Sequence, residues 1–394
     1  MTAVAGAGTH AWIDTDVAFA ELVAELATVD VYGLDTEFHR ERTYHARLAL
    51  LQLSWPGGVA VVDPLCVEVA PLETVLAGPG LCVMHAASQD LEILARVCQT
   101  LPTRLFDTQV AAGFVGYSSV GLAGLVQGEL GVKLPKADRL TDWLARPLPD
   151  GAVRYAASDV VHLHELHDRI VAKLEERGRL EWALDECEVH RIRPTSGQIP
   201  DRAWWRIKEA RSLRGRAAAV AQVLAAWRER RAAEIDRPVR FLLADLALVA
   251  MAQRPPATED DLRRVRGLDD GKRKGSAGRE LLGVVAEGVA LPLEEVQLPP
   301  SEGVDRSRRA AASLVSAWAA QRARDLDIDA AILATRSDME ALLMGEGGRL
   351  AQGWRHDVVG EPIRALAAGE ASLAVDAQGR LRLETRSGVA LTEG

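Results

Sequence analysis

Cysteine is scarce in this chain: Cys66, Cys82, Cys98 and Cys187 are its four cysteines, and none belongs to a CxxC pair or a zinc-ligand spacing. We therefore expect reduced thiols, most of them in the core. No apolar run is long enough to cross a bilayer, and residues 1–10 lack the basic-then-apolar pattern of a signal peptide. These absences predict a cytoplasmic protein with no membrane partner.

Two motifs that would indicate other chemistries are incomplete. Residues 267–273 resemble a phosphate-binding loop, but the spacing is wrong, no Ser or Thr follows the lysine and no strand precedes it. We therefore expect no nucleotide cofactor and no ATPase or helicase activity. His162, His164 and His167 crowd one helix, but only the last two could easily share a metal, and no further ligand group accompanies them. A zinc site is therefore not expected.

Charge is distributed unevenly along the sequence. The net charge is −9, and residues 1–38 contain seven acids and no Lys or Arg. Residues 202–240, in contrast, contain eleven Lys or Arg residues and four acids, a net charge of +7. Such a block in an acidic protein indicates a surface for a polyanion. A solvated helix face is the alternative interpretation.

Apolar patterning divides the chain into a first part of strands and helices and a later, purely helical part. Three strand-like runs with short connections predict an antiparallel meander, and further strands then alternate with helices. We therefore expect an α/β fold with a mixed sheet flanked by helices, with strands at 31–38, 47–55, 59–63, 81–84 and 105–107 and helices at 88–97, 108–115 and 151–177.

Two turn-rich linkers, at residues 193–200 and 298–303, predict three domains. The α/β domain occupies residues 1–192, and two all-α domains follow at 203–292 and 304–394. The helical domains are interpreted as a diverged repeat, because each has a tryptophan inside its first helix (Trp227 and Trp318). The tail from residue 371 onward is short and polar and supports no prediction.

Two acids stand close together at the end of the first long apolar run, Asp35-Thr36-Glu37. On a strand, side chains at i and i+2 share one face, so Asp35 and Glu37 point the same way. Their charges repel and raise each other's pKa, which a fold tolerates most readily when a cation lies between them. Hard carboxylate oxygens suit Mg²⁺ or Mn²⁺.

Two further segments supply matching residues. Asp90 lies in the first turn of a predicted helix for which Ser88 is the candidate N-cap, and the helix dipole favours its ionised form there. Tyr155 and Asp159 are four residues apart and therefore share one helix face. Each motif alone is more often structural, but their combination in this order is far more specific.

These residues resemble the three motifs of the DEDD superfamily of exonucleases, in the branch with tyrosine in the third motif. Asp35-Thr36-Glu37-Phe38, His85-Ala86-Ala87-Ser88-Gln89-Asp90 and Tyr155-Ala156-Ala157-Ser158-Asp159 carry the resemblance, and the chain is most similar to the bacterial ribonuclease D family. Residues 217–291 resemble the helical HRDC domain. The resemblance covers about residues 20–290 well, whereas the last hundred residues fit a second HRDC-type module less closely.

The resemblance implies a ribonuclease H-like sheet and a two-metal mechanism. Asp35, Glu37, Asp90 and Asp159 would ligate two Mg²⁺ or Mn²⁺ ions, and Tyr155 would orient the attacking water. The implied reaction releases 5′-nucleoside monophosphates one at a time from RNA 3′ ends, notably those of tRNA precursors, and a monomer is expected.

Three cations just before the last motif are candidates for phosphate contacts: Lys136, Arg139 and Arg146. Two alternatives to the ribonuclease interpretation stay open. One is a DNA 3′–5′ exonuclease, since the four acids do not distinguish the sugar, and the other is a non-catalytic nucleic-acid-binding scaffold.

Overall fold

The computed structural model describes residues 10–135, 141–192, 199–299 and 309–387. Its contacts divide the chain into two compact units. The first comprises Met1–Glu37, Leu50–Arg193 and Glu302–Gly394, and the second comprises Phe38–Ala49 and Pro194–Ser301. No helix in the described ranges combines the length and apolarity that a bilayer span requires.

A six-stranded mixed sheet forms the centre of the α/β part of the chain, and its strand order is β1-β4-β3-β2-β5-β6. β3 and β4 are antiparallel, whereas the pairs β1–β4, β2–β5 and β5–β6 are parallel. The predicted mixed sheet is thus confirmed, and the short edge strand β1, for which the sequence shows only a brief apolar run, is an addition. The strands are β1 (Ala11–Ile13), β2 (Val31–His39), β3 (Arg47–Trp55), β4 (Gly58–Val62), β5 (Leu81–Met84) and β6 (Arg104–Asp107).

Helices flank this sheet, as expected. The predicted helix over 151–177 is wrong in one respect, because its backbone leaves the helical region at His162 (φ −101°, ψ 3°). The break lets the chain contact β4 before it and β5 after it, on either side of the two central strands. The helices are α1 (Asp16–Leu26), α2 (Glu73–Leu76), α3 (Ser88–Val97), α4 (Thr108–Ala112), α5 (Leu122–Leu130), α6 (Asp150–Val161), α7 (Leu163–Glu176) and α8 (Leu180–Ile192).

The last part of the chain packs into the same apolar core as α4 to α8. The Trp354 ring stacks on Trp182 with centroids 5.0 Å apart and meets Phe114 edge-on at 5.3 Å. Buried Arg355 forms an ion pair with buried Glu186 at 2.6 Å. Residues Glu302–Gly394 accordingly fall within the first compact unit. This segment contains α14 (Arg309–Leu326), α15 (Ala330–Leu333), α16 (Arg336–Leu343), α17 (Gly353–Arg355) and α18 (Glu361–Ala368), then a hairpin of β7 (Ala371–Val375) and β8 (Leu381–Thr385).

The second unit is built around its longest helix, α9, which contacts the 3₁₀ turn at Pro200–Arg206 and two later helices, α11 and α13. The connection between β2 and β3 also belongs to this unit: the Tyr44 hydroxyl donates to Glu229 Oε2 at 2.9 Å, and the His45 amide donates to Asp236 Oδ1 at 3.0 Å. The purely helical pattern predicted for residues 203–289 is confirmed, whereas the hairpin of β7 and β8 departs from the all-α pattern predicted for residues 304–394. The helices are α9 (Gly215–Glu234), α10 (Val239–Leu242), α11 (Asp245–Gln253), α12 (Glu259–Arg263) and α13 (Gly275–Ala290).

Candidate active site

Asp35 lies at the middle of the central strand β2 and Glu37 lies two residues before its end, both on the face that α6 and α7 cover. Gly33, two residues before Asp35, marks this face, because a Cβ atom there would collide with Ser54 Oγ on β3 and crowd Leu163 on α7. The Ser54 hydroxyl donates in turn to the Val160 carbonyl of α6 at 2.9 Å. The missing side chain at position 33 therefore lets the helices approach the strand that carries the two acids.

Asp90 lies in the first turn of α3 and is buried. The Thr36 hydroxyl, from between the two acids of β2, donates a hydrogen bond to Asp90 Oδ1. The predicted cap at Ser88 is wrong: Ala87 is the N-cap residue and makes no side-chain cap.

The loop before α3 is held by Asp107 instead. Its carboxylate oxygens accept the amides of Ala86 and Ala87 at 2.9 and 2.8 Å. Ala86 has a left-handed backbone (φ 59°), which is strained for a residue with a Cβ atom. Asp107 therefore fixes the strained turn that places Asp90.

Tyr155 and Asp159 lie one turn apart on α6, as the spacing predicted, and the phenol forms a hydrogen bond with the carboxyl. Asp159 is 9% exposed, and Tyr155 is partly buried with the Trp143 ring 6.3 Å away. Pro149 is the N-cap residue of α6, and Asp150 lies in its first turn.

Charges on the acids of the other two segments raise the pKa values of the two acids on β2. Burial raises the pKa of Asp35 well above its ordinary value, and the charges of Asp90, Asp159 and Glu37 raise it further. Burial and the charges of Asp159 and Asp90 raise the pKa of Glu37 to about 8. The pKa of Asp159 rises to about 7 through burial, against a lowering by the Tyr155 hydrogen bond. Burial raises the pKa of Asp90 to about 6, although hydrogen bonds to Thr36 oppose the rise.

The chemistry of this donor set fits a divalent cation. It offers only carboxylate oxygens, and negative charge is concentrated where a cation would relieve the repulsion. Across the described ranges, however, no three His, Cys, Asp or Glu side chains already have the geometry of a metal site. The four acids lie within electrostatic reach of one another without being arranged as ligands, and their role as ligands stays a prediction.

Of the three cations that were expected to contact phosphates, only Arg146 lies in the described residues. Arg146 is engaged within the fold: its guanidinium binds both carboxylate oxygens of Asp63 at 2.6 and 2.7 Å, and Asp63 is 2% exposed. An arginine that neutralises a buried acid is held away from a phosphate role, so the expectation for Arg146 is wrong. Lys136 and Arg139 lie outside the described residues.

Part of the basic segment is also structural. Arg228 is 3% exposed and donates to the Leu243 carbonyl at 2.8 Å and to Asp245 at 2.6 Å. The count of +7 for residues 202–240 included this charge, but the Arg228 guanidinium is bound inside the protein and is not part of a surface. Arg211, Arg214 and Arg216 are exposed.

Two supporting residues were missed by the sequence analysis: Thr36 and Asp107. Thr36 stands inside the acidic triplet, so its position was visible but its bond to Asp90 was not. Asp107 stands at the end of a predicted strand and before a predicted helix, where an N-cap is common, and this signal could have identified it. It also caps α4 through the amides of Gln109 and Val110.

Comparison with known proteins agrees with this arrangement. The model of a family described as 3′-5′ exonuclease matches residues 10–175, and the HRDC domain model matches residues 217–285. Ribonuclease D of Acidiphilium cryptum is 36% identical over 380 residues, covering 93% of this chain and 95% of that protein. Ribonuclease D of Gluconacetobacter diazotrophicus is also 36% identical, covering 95% of this chain and 97% of that protein.

Among solved structures, that of Escherichia coli RNase D, described as an exoribonuclease involved in structured RNA processing, superposes with a TM-score of 0.81. The two sequences are 32% identical, and the match covers 92% of this chain and 99% of the E. coli chain. The exonuclease fold implies dependence on divalent metal ions. The fold, the order of the acidic segments and the identity over nearly the whole length agree, and the chain belongs to the ribonuclease D family of 3′–5′ exoribonucleases.

Proposed function

We propose that this enzyme trims the 3′ ends of structured RNA, tRNA precursors among them, with two Mg²⁺ or Mn²⁺ ions held by Asp35, Glu37, Asp90 and Asp159. The observation that carries the proposal is the placement of these acids: Asp35 and Glu37 lie on one face of β2, Thr36 between them binds Asp90 of α3, and the charges of Asp90 and of Asp159 on α6 raise the pKa of both β2 acids. When bound, the ions supply an activated water and stabilise the charge that develops on the phosphate.

The side chains of this chain would divide the remaining work. Tyr155, hydrogen-bonded to Asp159, would orient the attacking water toward the scissile phosphodiester. Its pKa is raised by burial and by the charges of Asp159 and Glu37, so the phenol keeps its proton at neutral pH and acts as a donor. Thr36 and Asp107 would hold Asp90 in place.

A labelled-substrate assay tests the reaction. RNA and DNA of the same sequence, each labelled at the 3′ end, are incubated with the protein in Mg²⁺ or in EDTA. We expect labelled mononucleotide from RNA in Mg²⁺ alone. Equal or faster release from DNA would favour the DNA exonuclease, and release from neither polymer would leave the scaffold.

Two variants test the acids themselves. Asp35→Asn and Asp159→Asn each remove one negative charge at nearly constant volume, so we expect turnover to be lost while RNA binding, measured by fluorescence anisotropy, is kept. Loss of binding together with activity would show that these acids are structural.

We propose that the second unit contributes affinity for RNA through the exposed Arg211, Arg214 and Arg216, which would contact phosphates without reading sequence. Charge reversal at these three positions should lower the slope of log affinity against log salt by about 2 or more, at about 0.7 per phosphate contact for single strands. Arg263→Glu, at another exposed arginine of the same unit, controls for charge reversal outside the proposed contacts; Arg263 pairs with Asp260 at 2.9 Å. An unchanged slope in the triple variant would place the RNA contacts elsewhere.

We further propose that the chain divides into domains 1–192, 203–292 and 304–394, and that the last domain contains a diverged copy of the helical module at 203–292. A constant offset of 91 residues supports the copy. It relates Trp227 to Trp318 inside the long helices α9 and α14, and it relates Asp236 to Asp327, both in the left-handed conformation (φ 47° and 53°). It also relates α10 to α15, four residues each. A cytoplasmic monomer completes the proposal, and light scattering of the purified chain tests its mass.

A further inference from the structure

Gln52, in the middle of β3, is fully buried, and within the described ranges neither Oε1 nor Nε2 of its side chain has a hydrogen-bond partner. Such groups cost free energy in a folded protein, and native structures keep them chiefly where they serve a function. Gln222, the other glutamine buried in the part of the chain that the structure describes, shows the usual arrangement: its Nε2 donates to the Glu295 carbonyl at 3.3 Å and its Oε1 accepts the Gln297 amide at 2.7 Å. We therefore expect the amide of Gln52 to form a hydrogen bond in the functional state of the site.

The strand register places this amide beside Asp35. β2 and β3 are neighbours in the sheet and the connection between them, residues 40–46, is too short for a parallel crossover, so the two strands are antiparallel. Gly33 lies against Ser54, as the collision of a Cβ atom with the hydroxyl shows. Asp35 is two residues after Gly33 on β2, and Gln52 is two residues before Ser54 on β3. In an antiparallel pair Asp35 and Gln52 are therefore opposite each other, with their side chains on the same face.

The helix that packs over this face of β3 is also part of the candidate active site. Leu50, two residues before Gln52, packs with Ala156 and Ala157 of α6, and Ser54, two residues after it, binds the Val160 carbonyl. Gln52 is thus flanked on both sides by contacts to the helix that carries Asp159.

We propose that Gln52 is a positioning residue for catalysis, whose Nε2 donates a hydrogen bond to the outer oxygen of Asp35 when that carboxylate ligates a divalent ion. The inference rests on the proposed role of the acids as ligands. Ligating carboxylates are commonly fixed by such donors, which select one rotamer and so favour binding. The amide is neutral, so it can orient the carboxylate without competing for the ion.

Gln52→Met tests the role, with Gln222→Met as the matched control. Methionine keeps the length of the side chain and removes the amide. Three quantities are measured: the melting temperature in EDTA, the Mn²⁺ affinity of the RNA-free protein by electron paramagnetic resonance, and turnover of RNA in Mg²⁺. For Gln52→Met we expect an unchanged or higher melting temperature together with Mn²⁺ affinity and turnover lowered by about 10- to 100-fold. For Gln222→Met we expect a lower melting temperature and wild-type Mn²⁺ affinity.

The outcomes separate this inference from the proposed function. Wild-type Mn²⁺ affinity in Gln52→Met would overturn the positioning role, and so would a lower melting temperature in EDTA, which would show that the amide is structural. If the wild-type protein itself bound no Mn²⁺, the failure would lie with the proposed metal site.

Discussion

Replacing Asp159 by asparagine is expected to stabilise the metal-free protein at alkaline pH while it abolishes activity. The pKa of Asp159 rises from 3.8 to about 7 in the folded state, mainly through burial. At 1.36 kcal/mol per pH unit, this rise favours the protonated carboxyl of the folded state by about 4 kcal/mol. The value is an upper limit for one substitution, because Glu37 and Asp35 share the same electrostatic environment.

The direction of the pH dependence follows from proton binding. Between about pH 4 and pH 7 the folded protein keeps a proton on Asp159 that the unfolded chain has released, so stability falls as the pH rises through this range. Glu37, with a pKa of about 8, extends the fall toward pH 8. Asparagine resembles the protonated carboxyl at every pH and removes the contribution of Asp159.

Thermal unfolding in EDTA at half-unit steps from pH 5 to pH 8 measures the effect. We expect the melting temperature of the wild type to fall over this range, and that of Asp159→Asn to lie slightly above it at pH 5 and to exceed it by several degrees at pH 8. Added Mg²⁺ should stabilise the wild type at pH 8 more than the variant, because the ion relieves the same repulsion. A variant that melts below the wild type at pH 8 in EDTA would refute the argument that Asp159 is held at an electrostatic cost.

Three other substitutions have outcomes that unfolding experiments can check. Arg146→Ala should destabilise the protein by about 3 kcal/mol, because the buried Asp63 carboxylate loses its bidentate partner; a neutral result in denaturant titration would mean that water replaces the guanidinium. Asp107→Ala should cost about 3 kcal/mol and weaken Mn²⁺ binding, since the loop before α3 loses its acceptor; unchanged Mn²⁺ binding would separate this loop from the site. Tyr44→Phe should cost about 1 kcal/mol through the lost hydrogen bond to Glu229, and a melting curve identical to that of the wild type would show that the bond contributes nothing.

The position of the acids was predictable because it follows from local rules. Alternation along residues 31–38 places Asp35 and Glu37 on one face whatever the rest of the fold does, and a spacing of four on a helix does the same for Tyr155 and Asp159. The element bounds at 81–84 and 88–97 agree with the structure for the same reason. Their convergence was inferred from resemblance, since residues far apart in sequence carry no local sign of contact.

The features that sequence reasoning missed depend on distant partners. Whether Arg146 faces RNA or an interior acid is decided by Asp63, 83 residues away. The break at His162 reflects the need to cross the sheet and has no Gly or Pro to announce it. The attachment of residues 302–394 to the first unit depends on Trp354 finding Trp182 and Phe114, which no periodicity along the chain reveals.

Synthesis on the ribosome separates the two parts of the exonuclease core by the whole length of the helical module, because residues 302–394 are made last. Until Trp354 emerges, Trp182 and Phe114 lack the ring that they pack against. A prematurely ended chain therefore carries every predicted catalytic acid on a domain with an unfinished interior. Such fragments are expected to unfold and to be degraded, although they contain the complete helical module.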